Sequence, residues 1–319
     1  LAEEKWREFS KKYSKFGINV VISTRDHREF DEEIDAGNFD IAVVVYEKLQ
    51  QLITRNIGLL SKIGLVVVDE LQMLSDPSRG AALEILMTKL RMYGKNFKLL
   101  GLSAVLKNSR MIPSWLDAEF LEFYQRPVEL RRGILYEGIF HFEAFNTGET
   151  GDEKMICVQD GRILNVMIPN VIHIAQRGEQ CLIFLKDKNS TRSVASAIAG
   201  QSKLPAVSKA IENLRMAEDT SSRVQLIECL ESGVAFHNAD MNYREREIVE
   251  HYFRTGSIRV LCSTSTLAMG VNLPVRNVFI EAETWYTNPI TGRPDTRPLM
   301  KVEFENMAGR AGRLSHENE

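Results

Sequence analysis

The chain has 319 residues, enough for about two domains of ordinary size, and its 44% hydrophobic and 26% charged content is that of a globular protein with real cores. A formal net charge of −3 excludes a chain that is basic as a whole, but a motor on a strand needs only a local positive groove, so nucleic acid stays open as a partner. No apolar run approaches the roughly 20 residues that span a bilayer, no signal peptide is visible, and Cys157, Cys181, Cys229 and Cys262 form no CxxC pair; buried free thiols and a cytoplasmic location, or a nuclear one in a eukaryote, are expected over disulfides or zinc ligands.

In chain order, Trp6, Phe9, Tyr13 and Phe16 recur at helical spacing and predict an amphipathic helix. The apolar runs Val20–Ile22, Ile41–Val45, Leu65–Val68 and Leu99–Leu102 predict strands, separated by helical stretches such as Leu83, Leu86, Met87 and Leu90 at i, i+3, i+4 and i+7. Apolar strands alternating with helices predict an α/β fold whose parallel sheet is covered on both faces. The pattern breaks near Arg126-Pro127, and residues 134–163 read as a hairpin-like connector turning at Gly148–Asp152. The alternation then resumes, with a helix over about 164–177, a strand at Cys181–Leu185 and a helix over about 190–199. After a polar stretch expected to be irregular come strands at Val234–Phe236, Arg259–Cys262 and Val278–Ile280. The expected division is 1–133 and 134–319.

Ligands of open parallel sheets bind beyond the carboxyl ends of the strands, so the polar residues just after each apolar run carry the chemistry. Leu65-Val66-Val67-Val68 runs into Asp69-Glu70-Leu71-Gln72, two adjacent carboxylates at a buried strand end. Such a pair suits Mg²⁺ held by Asp69, through water, and a water activated by Glu70 for attack on a γ-phosphate; alone, it reads equally well as solvated acids. The next strand ends in Gly101-Leu102-Ser103-Ala104. In the second half Thr264-Ser265-Thr266 forms a hydroxyl-rich strand end suited to phosphate oxygens or to capping the next helix, with Gly270, Asn272 and Pro274 following. Asn306-Met307-Ala308-Gly309-Arg310-Ala311-Gly312-Arg313 places two arginines on one helical face, where both could reach a polyphosphate.

Taken in this order, the segments resemble the superfamily 2 DExH-box helicases, in the branch of the Ski-type RNA helicases and the archaeal fork-unwinding DNA helicases. Asp69–Gln72 is similar to motif II, Leu102-Ser103-Ala104 to motif III, Thr264–Pro274 to motif V and Asn306–Arg313 to motif VI. Leu182–Leu185 stands where motif IV belongs, and Phe236-His237-Asn238-Ala239 with Arg244 and Arg246 resembles the segment before motif V. The resemblance implies two RecA-like lobes with parallel sheets and ATP, with Mg²⁺, between them. It implies Asp69, Glu70, Arg310 and Arg313 as catalytic residues, the arginines acting as fingers; Gln72, Ser103 and Ala104 as coupling residues; and Gly270, Asn272 and Asn306 against ATP. Thr264, Ser265, Thr266, His237, Glu47 and Lys48 would meet a single strand or fork, DNA rather than RNA, moved 3′ to 5′. The alternatives are an RNA helicase of the same branch and a scaffold that binds nucleic acid without hydrolysis.

Departures accompany the match. No Gly-x-x-x-x-Gly-Lys-Ser/Thr loop occurs, and Leu1–Lys5 resembles the end of motif Ia, so the chain is expected to start just after that loop, to lack motif I and to hydrolyse ATP feebly by itself. Val105 stands for the usual motif III threonine, Val45-Tyr46 for the Thr-Pro before Glu47-Lys48, and Asn306 for a glutamine; Ser23–Asp26 only loosely resembles a Thr-Gly-Asp contact. Between Ile280 and motif VI, the turn residues Asn288-Pro289 and Gly292-Arg293-Pro294, flanked by Trp285 and Tyr286, predict a β-hairpin. The resemblance makes that hairpin a wedge with an aromatic to stack on a base; a plain surface connector is the other reading.

Overall fold

A computed structural model describes residues 2–76, 79–94, 97–103, 111–123, 125–156, 163–217, 220–265, 267, 273–288 and 291–312. The chain divides into two compact units, Leu1–Glu122 and Phe123–Glu319. The division falls ahead of the 133/134 position expected from sequence, because residues 126–130 bond to a turn further along the second unit. Asn146 Oδ1 accepts the Arg126 amide at 2.7 Å, its Nδ2 donates to the Arg126 carbonyl at 3.0 Å, and Phe145 N donates to the Leu130 carbonyl at 2.9 Å.

In the first unit, helix α1 (Ala2–Tyr13) precedes strand β1 (Val20–Ser23), and Trp6 Nε1 donates to the Val20 carbonyl at 3.1 Å. Helix α2 (Asp31–Ala36) leads to β2 (Ile41–Val44), which pairs with β1 in parallel from Val20↔Ile41 to Ser23↔Val44. Helix α3 (Tyr46–Arg55) then leads to β3 (Leu65–Val68), helix α4 (Gly80–Tyr93), β4 (Lys98–Gly101) and α5 (Met111–Leu116). Strands β3 and β4 form a second parallel pair, Leu65↔Lys98 to Val68↔Gly101. Leu83, Leu86, Met87 and Leu90 are all buried, the stripe that their spacing predicted. Gly80 admits the start of α4 against the preceding turn, where a Cβ would lie 2.4 Å from the Leu74 carbonyl oxygen. The expected two-sided cover is not found on β3 and β4. Val66 and Val68 are buried, while Leu65 and Val67 are 56% and 49% exposed and Leu100 and Leu102 also face outward. The period-2 alternation of a strand puts successive side chains on opposite faces, and among the described residues of this unit only one face of the pair meets helices.

The second unit begins with a three-stranded antiparallel sheet, β5 (Arg131–Tyr136), β6 (Ile139–Ala144) and β7 (Thr150–Lys154). The connector is thus a meander and not a single hairpin, and Thr150–Asp152 lie in a strand with the turn earlier, at Phe145–Thr147. Phe142 faces Gly133 on one neighbour and Gly151 on the other, and the ring occupies the space that a Gly151 side chain would need. Helix α6 (Ile163–Gln176) then leads into β8 (Cys181–Leu185) and α7 (Lys188–Gln201), whose N-terminus Asp187 caps by accepting the Ser190 amide at 2.8 Å. The stretch expected to be irregular holds two short helices, α8 (Ser208–Arg215) and α9 (Arg223–Leu230). Each buries one brief apolar face, Ala210, Ile211 and Leu214 or Leu226, Cys229 and Leu230, too short to stand out among polar neighbours.

Strand β9 (Val234–His237), helix α10 (Tyr243–Arg254), β10 (Val260–Thr264) and β11 (Asn277–Ile280) complete a parallel sheet in the order β11-β8-β10-β9. Its core is one continuous cluster from Met167 to Met307. Cys181, Cys229 and Cys262 are free and buried in it; burial pushes the Cys229 thiol up to about 11, while Cys157 lies outside the described residues. The predicted hairpin is present as β12 (Glu283–Thr287) and β13 (Pro294–Pro298), paired from Glu283↔Pro298 to Thr287↔Pro294, and helix α11 (Lys301–Ala308) follows. Among the described residues no helix is long and apolar enough to cross a membrane.

Candidate functional site

In the first unit the polar residues beyond β3 and β4 form one connected group. Leu102 N donates to the Val68 carbonyl at 2.8 Å and Leu71 N to the Leu102 carbonyl at 2.9 Å, so the pairing continues past the strand ends. That continuation aligns Ser103 with Gln72. The Ser103 hydroxyl donates to Gln72 Oε1 at 2.7 Å, and the buried Gln72 amide in turn donates to a Glu70 carboxylate oxygen. Glu70 has φ 55° and ψ 44°, a left-handed conformation costing an ordinary residue roughly 1–2 kcal/mol. Asp69 is exposed, and its Oδ1 accepts the Glu70 amide at 2.9 Å. Ala104 lies outside the described residues.

Beneath the carboxylates, the Tyr46 hydroxyl donates to the Asp69 carbonyl. Burial, and then the Asp69 and Glu70 charges, push the Tyr46 phenol up to about 12. Arg79 lies over the same ring at 5.8 Å and reaches Glu47 Oε1 and Oε2 at 3.0 and 3.3 Å. Burial acts to raise the Glu47 carboxyl, but the Arg79 hydrogen bond and charge outweigh it and hold the carboxyl below its ordinary value. Lys48 donates to Asp31 Oδ2 at 2.8 Å, and Ser23 donates to Asp31 Oδ1 at 2.5 Å. Glu47 and Lys48, expected at a strand, are thus each engaged in an ion pair that fixes α3. Tyr46, counted among the departures, is a supporting residue; nothing in the sequence marked Arg79 or Asp31.

In the second unit Thr264 and Ser265 stand at the end of β10, partly exposed, while Thr266, Gly270 and Asn272 lie outside the described residues. His237 ends the neighbouring strand, but it is buried. Its Nε2 meets Glu250 Oε1 at 2.9 Å, and its Nδ1 has no partner among the described residues. Ser263, also buried, donates to the His237 carbonyl at 3.1 Å and joins the two strand ends. Trp285 is 47% exposed on β12, Tyr286 is half-buried, and Asn288 N donates to the Arg293 carbonyl at 2.9 Å to begin the turn, whose tip lies outside the described residues. Asp187 holds its carboxyl below the ordinary range: burial acts to raise it, and the bonds from the Ser190 amide and hydroxyl help to outweigh that.

Asn306 sits in α11, half-buried, and Arg310 just beyond it, buried. Arg310 N donates to the Met307 carbonyl at 3.1 Å, Val275 N to the Arg310 carbonyl at 3.2 Å and Gly312 N to the Val275 carbonyl at 3.2 Å. Val275, the residue just after motif V, is thereby tied by backbone bonds to motif VI. Arg313 lies outside the described residues. Three arginines hold this segment through partners that nothing in the sequence marked. Arg126 Nη2 donates to the Ala311 carbonyl at 2.8 Å, Arg132 Nη1 reaches Glu305 Oε1 at 2.8 Å, and Arg297 meets Glu303 through two bonds of 2.8 and 2.7 Å.

Comparison with known proteins bears on the family. Residues 1–112 match the family model of the DEAD/DEAH box helicases, and residues 164–315 that of the helicase conserved C-terminal domain. The chain is 35% identical to the ATP-dependent DNA helicase Hel308 of Pyrobaculum calidifontis over 326 residues, covering 98% of this chain and 42% of that protein. It is 33% identical to Hel308 of Methanococcus vannielii, covering 98% of this chain and 41% of the relative, and 28% identical to Hel308 of Pyrococcus horikoshii, covering 99% and 41%. The chain thus spans about two fifths of the length of these curated relatives.

Proposed function

The chain belongs to the superfamily 2 DExH-box helicases, and on that premise we propose that it is the motor core of an ATP-dependent DNA helicase that moves along a single strand. The observation that carries the reading is the run of hydrogen bonds Ser103–Gln72–Glu70, which joins a carboxylate at one strand end to a hydroxyl at the next. A change in the charge or position of Glu70 on hydrolysis is felt at Ser103, which is what coupling nucleotide state to a second surface requires. The left-handed Glu70 supports the same reading, since backbone strain persists where the surroundings enforce it and collects at functional sites.

In the chemical step, the attacking water forms its bond to the γ-phosphorus, the bridging bond to the β-phosphate breaks, and Glu70 takes the water's proton. Asp69 fits Mg²⁺ held through water. It is exposed, with one carboxylate oxygen occupied by the Glu70 amide, and no group of three potential protein ligands occurs among the described residues. Nucleotide-bound Mg²⁺ needs only one or two carboxylates, and when bound it neutralises charge on the phosphates. Arg310, with Arg313, would stabilise charge developing on the transferring phosphoryl group, and Gly270, Asn272 and Asn306 would contact ATP. Thr264, Ser265 and Thr266 would meet strand phosphates, and the hairpin bearing Trp285 and Tyr286 would part the duplex.

DNA is favoured over RNA by the names of the relatives, and hydrolysis over a passive scaffold by the retained Asp69, Glu70 and Arg310. The test is ATP hydrolysis by the full-length protein with single-stranded DNA or RNA. DNA should stimulate turnover more than RNA, and Glu70→Gln should lower kcat by about 10²–10⁴ while ATP still binds. Absence of stimulation by either strand, or an undiminished Glu70→Gln variant, would refute the reading.

A further inference from the structure

Helix α11 carries Asn306 and leads directly to Arg310, and an arginine grips it from each of two sheets. Arg297 comes from β13 of the hairpin and Arg132 from β5 of the meander, and they bind Glu303 and Glu305 respectively. Residues two apart on a helix do not share a face, so the two grips act from different sides. The hairpin grip is the more constrained. Glu303 accepts both terminal nitrogens of Arg297 and also the Met300 amide at 2.8 Å, so one carboxylate binds the hairpin root and the first turn of the helix together. Leu299 N donates to the Ala282 carbonyl at 2.9 Å, closing the hairpin base just before the helix starts. Beyond Glu303 the helix is continuous to Ala308, and the Arg310 carbonyl is fixed to Val275.

We propose that the Arg297–Glu303 pair is a strut that transmits displacement of the hairpin root to the Arg310 segment, so that both are positioning residues linking strand separation to the catalytic arginine. The proposal rests on the helicase reading above. A bidentate guanidinium–carboxylate pair suits this role because its fork geometry resists rotation as well as separation. A helix of eight residues, rising about 1.5 Å per residue, is short and continuously hydrogen-bonded, so an axial shift at Glu303 is carried to its C-terminal end. A pair serving only local stability would leave coupling unchanged when removed.

The experiment uses the full-length protein with Arg297→Ala, Arg297→Lys, Glu303→Gln and the double variant Arg297→Ala/Glu303→Gln. Glu303→Gln keeps an acceptor for the Met300 amide and so preserves the helix start. Forked-DNA separation, single-strand-stimulated ATP hydrolysis and thermal melting are measured side by side. Strands separated per ATP should fall about tenfold in Arg297→Ala and Glu303→Gln, with Arg297→Lys intermediate and the double variant no worse than either single one. The KM for ATP and the stimulated kcat should stay within about twofold. An unchanged ratio with a lowered melting temperature, equal losses of hydrolysis and separation, or additive losses in the double variant would overturn the strut. An unsubstituted protein that does not hydrolyse ATP fails the helicase reading itself, and one that hydrolyses without separating forks fails the hairpin's part in it. Both failures are visible before any variant is made.

Discussion

Tyr46 lies beside the carboxylates with a neutral phenol donating to the Asp69 backbone, and two negative charges nearby oppose its ionisation. Because the folded pKa is raised from 10.0 to about 12, the folded state favours the protonated phenol. Its contribution to stability is complete below pH about 10 and is lost as pH rises toward 12. An ultraviolet titration of the folded chain should therefore contain a tyrosine transition near pH 12 that disappears in Tyr46→Phe; a titration curve left unchanged by that substitution at its alkaline end would show that the ring is not held against the carboxylates. At this scale the sequence revealed what was contiguous. Asp69-Glu70 and Ser103 follow apolar runs, and their chemistry could be named from position. Tyr46 was visible only as an odd residue before Glu47, because its role depends on a fold that brings α3 under the end of β3. Glu47 and Lys48 were noticed through the resemblance, and which carboxylate or guanidinium would meet each was not encoded locally.

Elements were legible where one face or both are buried over several turns or residues. Strand β8 was predicted to the residue and β10 to within two, and α4 was marked by its stripe without bounds, because their apolar spacing is unbroken. Helices α8 and α9 were missed, since two turns bury only about three side chains each. The meander was reduced to a hairpin because its third strand, Thr-Gly-Asp-Glu-Lys, reads as a turn; pairing with β6, not composition, makes it a strand. The end of that meander is held by Asn170 of α6, which is fully buried. Its Oδ1 accepts the Ile156 amide at 2.7 Å, and its Nδ2 donates to the Ile156 and Val166 carbonyls at 3.1 and 2.7 Å. Asn170→Ala removes three hydrogen bonds, two of them to a partly exposed residue that water can partly satisfy, so a loss of about 2–3 kcal/mol is expected in chemical denaturation. Asn170→Asp keeps the acceptor but buries a charge with no cation bonded to it, and should cost more than the alanine. The reverse order would mean that water reaches this position.

Across the whole chain the two units differ in how their cores are built. The second is a single cluster under a four-stranded parallel sheet, with β8 and β10 buried along their length. Among the described residues the first has two separate small clusters beneath two two-stranded pairs, and the outer face of β3 and β4 is open. Two-stranded pairs are marginal by themselves and draw stability from helices packed on them, so less apolar burial opposes opening in the first unit. Local opening free energies range from near zero to the global value, and the most protected amides lie where burial is continuous. Hydrogen exchange of the chain should therefore be slowest in β8 and β10, and about 10² or more faster in β3 and β4, a difference of roughly 3 kcal/mol. Ligand-responsive elements are drawn from the less stable end of this range, so the same measurement with ATP and single-stranded DNA added should slow exchange most around Asp69–Gln72 and Ser103. Equal protection of the two sheets without ligand would mean that the open face of β3 and β4 is stabilised by something other than the burial described, and would remove the argument that the carboxylate site sits on the more yielding of the two units.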